Sequence, residues 1–592
     1  MIGVYYITGM HSVHEAAILH VVFNLRALVN ACLTSPTALI YIPLISDFSD
    51  MLRSLARLRE VRHAHNRTLV RHAAAAMNMS TSAQTSLERI VAEDPHFDAV
   101  VIGAGIGGAA AALGLTTPQL ATPVATQLDP SGRAVRDLSN PTAGSKTGKK
   151  SRVLVIDAEK HFCYHSTGRS AAIFSELYGT PTTQALSIAT KPFLYAPKPN
   201  GLTPPGDTRL VSRRGNVWLA TEDSKEAMIK LYEESVKLIP SLRIISPEEV
   251  AKLVPWAIAS NVRPRSEVEA RCNAFGEDDA AALGLSAEAV KMSSTAVCGA
   301  ILEPDAADMD VDAIWKTMVD RARANGANFE AGVCVERVGS SGTGGKSWEL
   351  ELVQGHNSGA SGATSVSSQS SGNDARRVRI TTDLVLNAGG AWADKVAEQF
   401  GFKTVGLVPK RRTIMQFSPL DVAKDFRYPL NAGSPGIKDP NEYLQHANTW
   451  PAVFDMADKY YYKPDAGRIL ASPCDETPTD PCDAQPDEVD LALCAHRIQA
   501  ASFLEPQNMI SKWAGLRSFV RDKNFVVGFD SRRVNSNGGG EFFWLAGLGG
   551  YGIQTSLGNA RLIAGLVHEG RVPADLEENG LELRVVTPNR FM

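Results

Sequence analysis

Residues 97–115 read FDAVVIGAGIGGAAAALGL, an apolar run that leads through a cluster of glycines into an alanine-rich segment. The apolar run is typical of a buried parallel strand, and the alanines favour a helix. Between them the glycines follow the spacing Gly103-x-Gly105-x-x-Gly108. A strand and a helix joined by this spacing form the context in which such a motif binds a dinucleotide. The sequence therefore predicts a dinucleotide site here, and the alternative is a glycine-rich turn without a ligand.

Each glycine of the motif has its own physical role. Gly103 permits the tight turn, Gly105 lets a pyrophosphate approach the backbone N–H groups, and Gly108 lets the helix pack closely on the strand. The N-terminus of the helix adds a partial positive charge that attracts phosphates. We assign Gly107, which lies between them, to the same cofactor site.

The composition limits the classes of protein to which the chain can belong. Its 592 residues suggest roughly two to four domains. A hydrophobic content of 44% and a charged content of 21% are ordinary for a soluble globular protein. The net charge of -4 gives no reason to expect a nucleic-acid partner. The 8 cysteines form neither CxxC nor zinc spacings, so we expect reduced thiols and no metal site.

Residues 1–96 precede the glycine motif and are predicted to be an extension, either a targeting segment or disordered. The apolar stretch 27–45 is interrupted by asparagine and proline, so it predicts no firm membrane span. Segment 51–72 is rich in arginine and contains a single acidic residue, a composition typical of a mitochondrial presequence. The alternatives are a disordered basic tail, or translation that starts at Met51 or Met77; the protein would then be cytoplasmic.

An acidic residue ends the next predicted strand. Residues 116–152 are rich in Thr, Ser, Pro and Gly and predict a flexible insertion, and the Ser/Gly-rich stretch 355–373 predicts a disordered hairpin tip. Val153–Asp157 then reads as a buried strand. In dinucleotide folds an acid about 20 residues after the glycines binds a ribose hydroxyl, and here the insertion lengthens that spacing. We predict that Asp157, with Ala158 beside it, binds the ribose; the alternative is a helix N-cap.

Local patterns predict several further elements. Residues 211–220 and 329–338 each read as one strand. Asp312 precedes an amphipathic segment and is a candidate helix N-cap. Residues 460–463 followed by the turn sequence 464–467 predict a hairpin.

Several longer motifs follow the glycine motif along the chain. They are YHSTGRSAAIFSELYGT (164–180), LNAGGAWAD (386–394), PKRR (409–412), YYKPDAGRILASP (461–473), WAGLRSFV (513–520) and FFWLAGLGGYGIQTS (542–556). With these motifs in this order, the chain resembles the D-amino-acid-oxidase-like superfamily of FAD-dependent oxidoreductases. Within that superfamily it is most similar to the FAD-dependent D-arginine dehydrogenases. The resemblance covers most of the chain after the extension.

The resemblance implies an α/β fold and FAD as the cofactor. It implies a Rossmann-type FAD-binding domain with an inserted mixed α+β substrate domain that is built on a large antiparallel or mixed sheet. The FAD-binding domain would comprise residues 97–205, 295–402 and 536–592. The substrate domain would comprise residues 206–294 and 403–535.

The resemblance also implies which residues contact the cofactor. The second motif would run along the flavin diphosphate and ring, and it contributes Ser166, Thr167, Gly168, Arg169, Ser170, Ala171, Ala172 and Ile173. Within it, Ser166, Thr167 and Arg169 would supply two hydroxyls and a fixed cation. The backbone of Val335 would contact the adenine end, unless it is an ordinary strand residue. The last motif would place a helix N-terminus at the flavin N1–C2=O edge, and it contributes Gly549, Gly550, Tyr551, Gly552, Ile553 and Gln554.

The substrate would meet a second set of residues. By resemblance these are Tyr178, Arg412, Tyr461, Arg517 and the backbone of Gly550. Arginine clamps a carboxylate with paired N–H donors, and a tyrosine hydroxyl adds another donor. Such a clamp would fix the substrate Cα against flavin N5 for hydride transfer. The alternatives are a core aromatic for Tyr178 and surface salt bridges for the arginines.

The chain departs from the D-arginine dehydrogenases at three places. Ile173 replaces a histidine and Ser175 replaces a threonine, both of which face the substrate in that family. A glutamate that holds the guanidinium is expected near Gly215, where this chain reads RRGN (213–216). This absence puts arginine in doubt as the substrate. No dedicated base for the substrate amine is evident in the motifs.

The sequence thus predicts the FAD-dependent oxidative deamination of an α-amino acid, with the D enantiomer favoured. The imino acid formed would hydrolyse to a 2-oxo acid and ammonia. The electron acceptor stays open between oxygen, a quinone and a protein. The alternatives are a 2-hydroxy-acid or N-methylamino-acid oxidoreductase of the same superfamily, and a non-catalytic mitochondrial flavoprotein assembly factor. The lost histidine and glutamate favour the assembly factor, whereas the retained arginines and tyrosines argue against it.

Overall fold

The computed structural model describes most of the chain after the extension. The described residues are 85–122, 150–198, 200–254, 257, 297–341, 346–355, 376–418, 450–534 and 538–592. They lie in one compact unit, Thr85–Met592. The predicted presequence (51–72) and the central parts of the two predicted insertions (123–149 and 356–373) lie outside the described residues. Within the described part, no helix has both the length and the apolar character that a membrane span requires.

The strands are numbered in chain order. They are β1 (His96–Ile102), β2 (Val153–Asp157), β3 (Ile173–Phe174), β4 (Val211–Arg213), β5 (Asn216–Thr221), β6 (Arg243–Ile245), β7 (Val297–Glu303), β8 (Ala307–Met309), β9 (Ala327–Ala331), β10 (Val333–Ser341), β11 (Ser347–Gln354), β12 (Arg376–Asn387), β13 (Val408–Phe417), β14 (Ala452–Asp455), β15 (Tyr461–Asp465), β16 (Arg468–Ser472), β17 (Thr477–Pro478), β18 (Met509–Phe519), β19 (Val526–Phe529) and β20 (Glu541–Ala546).

The helices are numbered in the same way. They are α1 (Ser86–Glu93), α2 (Ile106–Thr116), α3 (Pro181–Tyr195), α4 (Lys225–Ser235), α5 (Pro247–Leu253), α6 (Val311–Ala324), α7 (Ala393–Gln399), α8 (Glu488–Ala501), α9 (Ser556–Ala564), α10 (Ala574–Glu578) and α11 (Leu583–Val586).

The first sheet has a parallel centre with antiparallel strands at its sides. In the described part of the chain it contains eight strands, and its parallel strands lie in the order β9-β2-β1-β12-β20. Strand β19 pairs antiparallel with β20, and β10 and β11 extend the sheet antiparallel from the first half of β12. The alanines of α2 are fully buried, as expected for a helix that is apolar on all sides. This arrangement confirms the Rossmann-type domain.

The second sheet is mixed and contains nine described strands. Its longest pairing joins β13 and β18 in antiparallel register, with Arg412 opposite Gly515 and Lys410 opposite Arg517. Because these positions are two residues apart on each strand, Arg412 and Arg517 lie on the same face of the sheet. The hairpin of β15 and β16 forms as predicted, with a tight turn at Ala466 and Gly467. This sheet confirms the inserted substrate domain.

Two strands join a different sheet from the one that the predicted domain boundaries imply. Strand β7, within the range predicted as 295–402 of the FAD-binding domain, pairs with β5 and β6 of the nine-stranded sheet. Strand β19, within the range predicted as 403–535 of the substrate domain, pairs with β20 of the eight-stranded sheet. The physical reason is that an apolar run specifies a strand but not its partner, which is chosen by packing.

Three local predictions need correction. The strand predicted at 211–220 is divided at Gly215, whose φ of 82° turns the chain from β4 into β5 of another sheet. The strand predicted at 329–338 is divided into β9 and β10, because Gly332 with a φ of 68° separates them. The N-cap of α6 is Asp310, whose Oδ1 accepts a hydrogen bond from Ala313 N at 2.9 Å, and not Asp312.

The folded unit also begins earlier than the glycine motif suggests. Helix α1 lies within the predicted extension and has a capping box, in which Thr85 and Glu88 bond to each other's backbone N–H groups. Leu87 is buried in the same core cluster as Phe97 of β1. Residues 85–96 are therefore part of the folded domain.

Candidate active site

A cavity of about 340 Å³ lies where the carboxyl ends of the parallel strands meet the second sheet. Gly103, Asp157, Ala388 and Gly547, which follow or end β1, β2, β12 and β20, line one part of it. Residues of β13, β14, β15 and β18 line another part. The carboxyl edge of a parallel sheet is the usual place of a ligand site in such folds.

The structure brings most of the predicted site residues together around this cavity. Those that line it are Gly103, Gly105, Gly107, Asp157, Ala158, Ser166, Thr167, Arg169, Ser170, Ala171, Ala172, Ile173, Val335, Gly549, Gly550, Gly552, Ile553, Gln554, Tyr178, Arg412, Tyr461 and Arg517. Three predicted cofactor residues, Gly108, Gly168 and Tyr551, are not among the lining residues.

The glycine motif forms a turn with no room for side chains. Gly103 has a φ of 98°, and a Cβ there would lie 2.4 Å from the Ala388 carbonyl oxygen. A Cβ on Gly105 would lie 3.0 Å from Thr167 Oγ1. Gly108 does not reach the cavity because it packs on the turn, where a Cβ would lie 1.8 Å from the Gly103 carbonyl oxygen. The motif therefore presents bare backbone to the cavity.

Asp157 holds the glycine turn in place through backbone hydrogen bonds. Its Oδ2 accepts a hydrogen bond from Ala104 N at 2.7 Å, and its Oδ1 accepts one from Glu159 N at 2.9 Å. Burial raises the pKa of this carboxyl, although both hydrogen bonds oppose the shift. No helix follows Asp157 directly, so the N-cap alternative does not apply.

The hydroxyls and the cation of the second motif have protein partners. Thr167 Oγ1 accepts a hydrogen bond from Ile106 N at 3.0 Å, which leaves its own proton available to a ligand. The Arg169 guanidinium pairs with Asp483 and also donates to the Ala514 carbonyl oxygen at 3.1 Å. That Arg169 supplies a fixed cation to the cofactor stays a prediction: Arg169 lines the cavity, and its charge is shared with the Asp483 carboxylate.

Gly168 and Tyr551 are the other two predicted cofactor residues that do not line the cavity. Gly168 N donates to the Cys163 carbonyl oxygen at 2.9 Å, and a Cβ on Gly168 would lie 2.4 Å from that oxygen. Tyr551 faces the predicted substrate residues: its ring centre lies 5.0 Å from that of Tyr178 and 5.4 Å from Arg517 Cζ.

Gln554 and Val335 line the cavity while their polar groups bond to protein. Gln554 Nε2 donates to the Ser175 carbonyl oxygen and to Ser187 Oγ, both at 2.9 Å. The Val335 carbonyl oxygen accepts a hydrogen bond from Gln399 Nε2 at 2.8 Å. The side chain of Gln554 therefore fixes the segment that leads to Tyr178.

Two buried arginines that line the cavity each have one N–H group without a hydrogen-bond partner among the described residues. Arg517 is 8% exposed and its Nη2 donates to Tyr178 Oη at 3.1 Å, while its Nε has no hydrogen bond. Arg412 is 5% exposed and its Nε donates to the Asp475 carbonyl oxygen at 3.0 Å. Its Nη2 has no hydrogen bond and lies 3.7 Å from Glu476 Oε1. A buried N–H donor without an acceptor lowers the stability of the fold, and a bound anion would supply the acceptor.

Tyrosine hydroxyls complete the positive end of the cavity. Burial raises the pKa of Tyr178 and of Tyr461, although the nearby arginine charges oppose the shift. Both hydroxyls therefore stay protonated at neutral pH. The surface that Tyr178, Tyr461, Arg412 and Arg517 form can donate several hydrogen bonds to one carboxylate.

An aromatic wall beside this surface was not found from the sequence. The ring of Phe454 stacks on Trp218 with centres 4.5 Å apart and on Tyr461 with centres 5.5 Å apart. Trp218 in turn lies 5.6 Å from the ring of Tyr178. Phe454 lines the cavity. The sequence shows only apolar strand residues here, because the parallel pairing of β14 with β5 brings the two rings together.

Comparisons with known proteins identify the family of the chain. The DAO family, described as FAD dependent oxidoreductases, matches residues 98–566. The chain belongs to this family. FAD is accordingly its cofactor, and a glycine turn that presents bare backbone to the cavity fits a dinucleotide with two phosphates.

Similar proteins support the family and the fold. "FAD-dependent oxidoreductase domain-containing protein 1" of Xenopus laevis is 28% identical over 201 residues, which is 32% of this chain and 36% of that protein. The crystal structure of L-proline dehydrogenase from P. horikoshii has a TM-score of 0.53 at 16% identity and covers 84% of this chain and 98% of its own. L-amino acid deaminase from Proteus vulgaris has a TM-score of 0.51 at 14% identity and covers 84% and 97%.

Proposed function

We propose that the protein oxidises an α-amino acid at the cavity and releases an imino acid that water converts to a 2-oxo acid and ammonia. One observation carries the proposal: two buried arginines line a cavity of an FAD-dependent oxidoreductase, and each has an N–H group without a hydrogen-bond partner among the described residues. An α-carboxylate supplies the missing acceptors. The solved structures of similar fold include an L-proline dehydrogenase and an L-amino acid deaminase, which is consistent with an amino-acid substrate.

We propose that the glycine turn and the second motif hold FAD. Backbone N–H groups near Gly105 and the Thr167 hydroxyl would meet the phosphates, and Asp157 would meet a ribose. The segment after β20, from Gly549 to Gln554, would lie at the flavin. When bound, FAD accepts a hydride equivalent from the substrate.

The residues at the positive end would bind and orient the substrate. Arg412 and Arg517 neutralise its carboxylate, and the hydroxyls of Tyr178 and Tyr461 donate further hydrogen bonds. Because all four side chains are fixed by packing, the Cα–H bond would be held in one orientation, which makes the reaction effectively unimolecular. The backbone of Gly550 would contact the substrate amine.

The substrate side chain would meet the aromatic wall. Among the described residues, the acidic side chains that line the cavity are Asp157 and Glu159, both at the end of β2. No described carboxylate lines the end formed by Tyr178 and Phe454. A buried cationic side chain would therefore lack a partner, and we propose that apolar and aromatic amino acids are preferred over arginine.

The test is anaerobic reduction of the flavin, followed by its visible spectrum. Each amino acid is offered as the D and the L enantiomer, together with sarcosine and 2-hydroxy acids. The resemblance to D-arginine dehydrogenases favours reduction by D enantiomers. Reduction by 2-hydroxy acids alone would replace the amino-acid proposal. A bound flavin that none of these compounds reduces would favour the assembly-factor alternative.

We also infer mitochondrial import from the arginine-rich segment 51–72. The test is a fluorescent protein fused after residues 1–96, with a control fusion in which the arginines of that segment are replaced by glutamine. Import of the first fusion and not of the second would support the inference. Equal distribution of both through the cytoplasm would refute it.

A further inference from the structure

A buried carboxyl lies directly behind the substrate end of the cavity and has no role in the mechanism above. Glu303, the last residue of β7, is fully buried and does not line the cavity. Its Oε2 accepts a hydrogen bond from Ser175 Oγ at 2.7 Å. Ser175 does line the cavity, three residues before Tyr178. Ser175 therefore lies between the cavity and the buried carboxyl.

The surroundings of Glu303 suit its ionised form. Besides Ser175, its donors are Glu176 N at 2.6 Å, Leu177 N at 3.2 Å and Asn216 Nδ2 at 3.3 Å. All four groups donate to the carboxyl, and a carboxylate is the form that only accepts. These hydrogen bonds thus offset part of the cost of burying the ionised carboxylate.

The burial of the Glu303 carboxylate also increases its affinity for a proton. Burial raises the pKa of Glu303 to about 7; the charge of Glu176 also raises it, and the hydrogen bonds from Ser175 and the two backbone N–H groups oppose the rise. The ionisable groups nearby are Glu176 on the same segment, Lys191 and Tyr195 of α3, and Asp305 after β7. Lys191 pairs with Glu176 at 2.5 Å and with Asp305 at 3.1 Å, so its charge is shared between those carboxylates. A pKa near the working pH is what a general base requires.

We propose that Ser175 and Glu303 form a relay that removes the proton which the substrate ammonium group must lose before oxidation. The ammonium N–H bond breaks and its proton binds to Ser175 Oγ, while the Ser175 hydroxyl proton moves to Glu303 Oε2. The substrate becomes a free amine and Glu303 becomes a neutral acid. After product release the proton returns to water by the reverse path. The relay rests on the proposed amino-acid function.

The experiment measures anaerobic flavin reduction against pH for the wild type, Ser175→Ala and Glu303→Gln. In the wild type, the apparent second-order rate constant should rise tenfold per pH unit below about 7 and then level off. At pH 7 each variant should be about 10²–10³-fold slower. The defect should shrink about tenfold per pH unit above pH 7, because the free amine in solution needs no relay.

Two controls separate this role from a structural one. Ser175→Thr keeps the hydroxyl and should keep the wild-type profile. Ser502→Ala removes an equally buried hydroxyl that donates to the Ile498 carbonyl oxygen, in another core cluster, and should leave the profile unchanged. If Glu303→Gln does not fold, Ser175→Ala alone still tests the relay.

The possible results have separate meanings. A defect of the same size at every pH would overturn the relay and leave Ser175 and Glu303 as structural residues, with the proposed function intact. If no amine reduces the flavin of the wild-type protein, both the proposed function and the relay are overturned. A defect seen only as a raised dissociation constant, with an unchanged limiting rate, would also overturn the relay.

Discussion

Replacement of Gly550 by alanine should impair catalysis while the fold persists. A Cβ at this position would lie 2.3 Å from Nε and 2.5 Å from Nη2 of Arg517. Ordinary contacts of this kind begin near 3.4 Å, so the guanidinium must move by about 1 Å. Gly550 does not have a positive φ, and the obstructing atoms are the end of a flexible side chain. The backbone can therefore accept alanine.

The size of the effect follows from that displacement. A misplacement of about 1 Å in a substrate-positioning group costs on the order of 10²-fold in rate. This corresponds to about 2.7 kcal/mol of transition-state stabilisation. The hydrogen bond between Arg517 and Tyr178 would weaken at the same time, at a cost of about 1 kcal/mol in unfolding free energy. We expect kcat/KM to fall about 100-fold with a small change in Tm.

The assay is stopped-flow flavin reduction with the best substrate from the panel, together with thermal unfolding and the ratio of flavin to protein absorbance. The matched control is Gly339→Ala in β10, where a Cβ would have its nearest contact at 3.8 Å and no positive φ is involved. The control should retain full activity and full flavin. A fully active Gly550→Ala variant would show that the position of the Arg517 guanidinium does not govern the reaction.

Three further predictions concern stability and cofactor retention. Gly108→Ala would place a Cβ 1.8 Å from the Gly103 carbonyl oxygen; because backbone must move, we expect a loss of more than about 2 kcal/mol and of flavin, seen in Tm and in the absorbance ratio. Glu303 binds its proton more tightly folded than unfolded, with a pKa of about 7 against 4.5, so unfolding free energy should fall by roughly 3 kcal/mol as pH rises from 4.5 to 7. Urea unfolding at several pH values should show this fall in the wild type and its absence in Glu303→Gln. Asp575→Ala would leave the fully buried Arg561 without its 2.6 Å partner, which should cost about 3–5 kcal/mol in urea unfolding; an unchanged midpoint would contradict this.

The cofactor side of the site was predictable because its signals are local. The glycine turn, the strand before it and the helix after it follow one another in sequence, and Gly108 is required by the carbonyl oxygen of Gly103, only five residues away. Arg169 shows what local signals leave out. It lines the cavity, but its partner, Asp483, lies 314 residues further along the chain, and sequence proximity carries no information about that pairing.

The substrate side of the site depends on contacts between distant segments. The sequence supplied Arg412 and Arg517 through motifs, yet their common face results from the register of β13 with β18. Phe454 and Trp218 stack because β14 pairs with β5. Glu303 reaches Ser175 because β7 joins the second sheet, whereas the predicted boundary at residue 295 assigned β7 to the FAD-binding domain.

The sequence by itself determined the Rossmann-type fold, the FAD cofactor and the family, because continuous apolar runs, glycine spacing and short motifs are each formed by residues close together in the chain. Only the tertiary structure decided the strand partners, the aromatic wall, the engagement of Arg169 and the environment of Glu303. The physical reason is that pairing, burial and the pKa shifts they cause depend on which distant surfaces exclude water together.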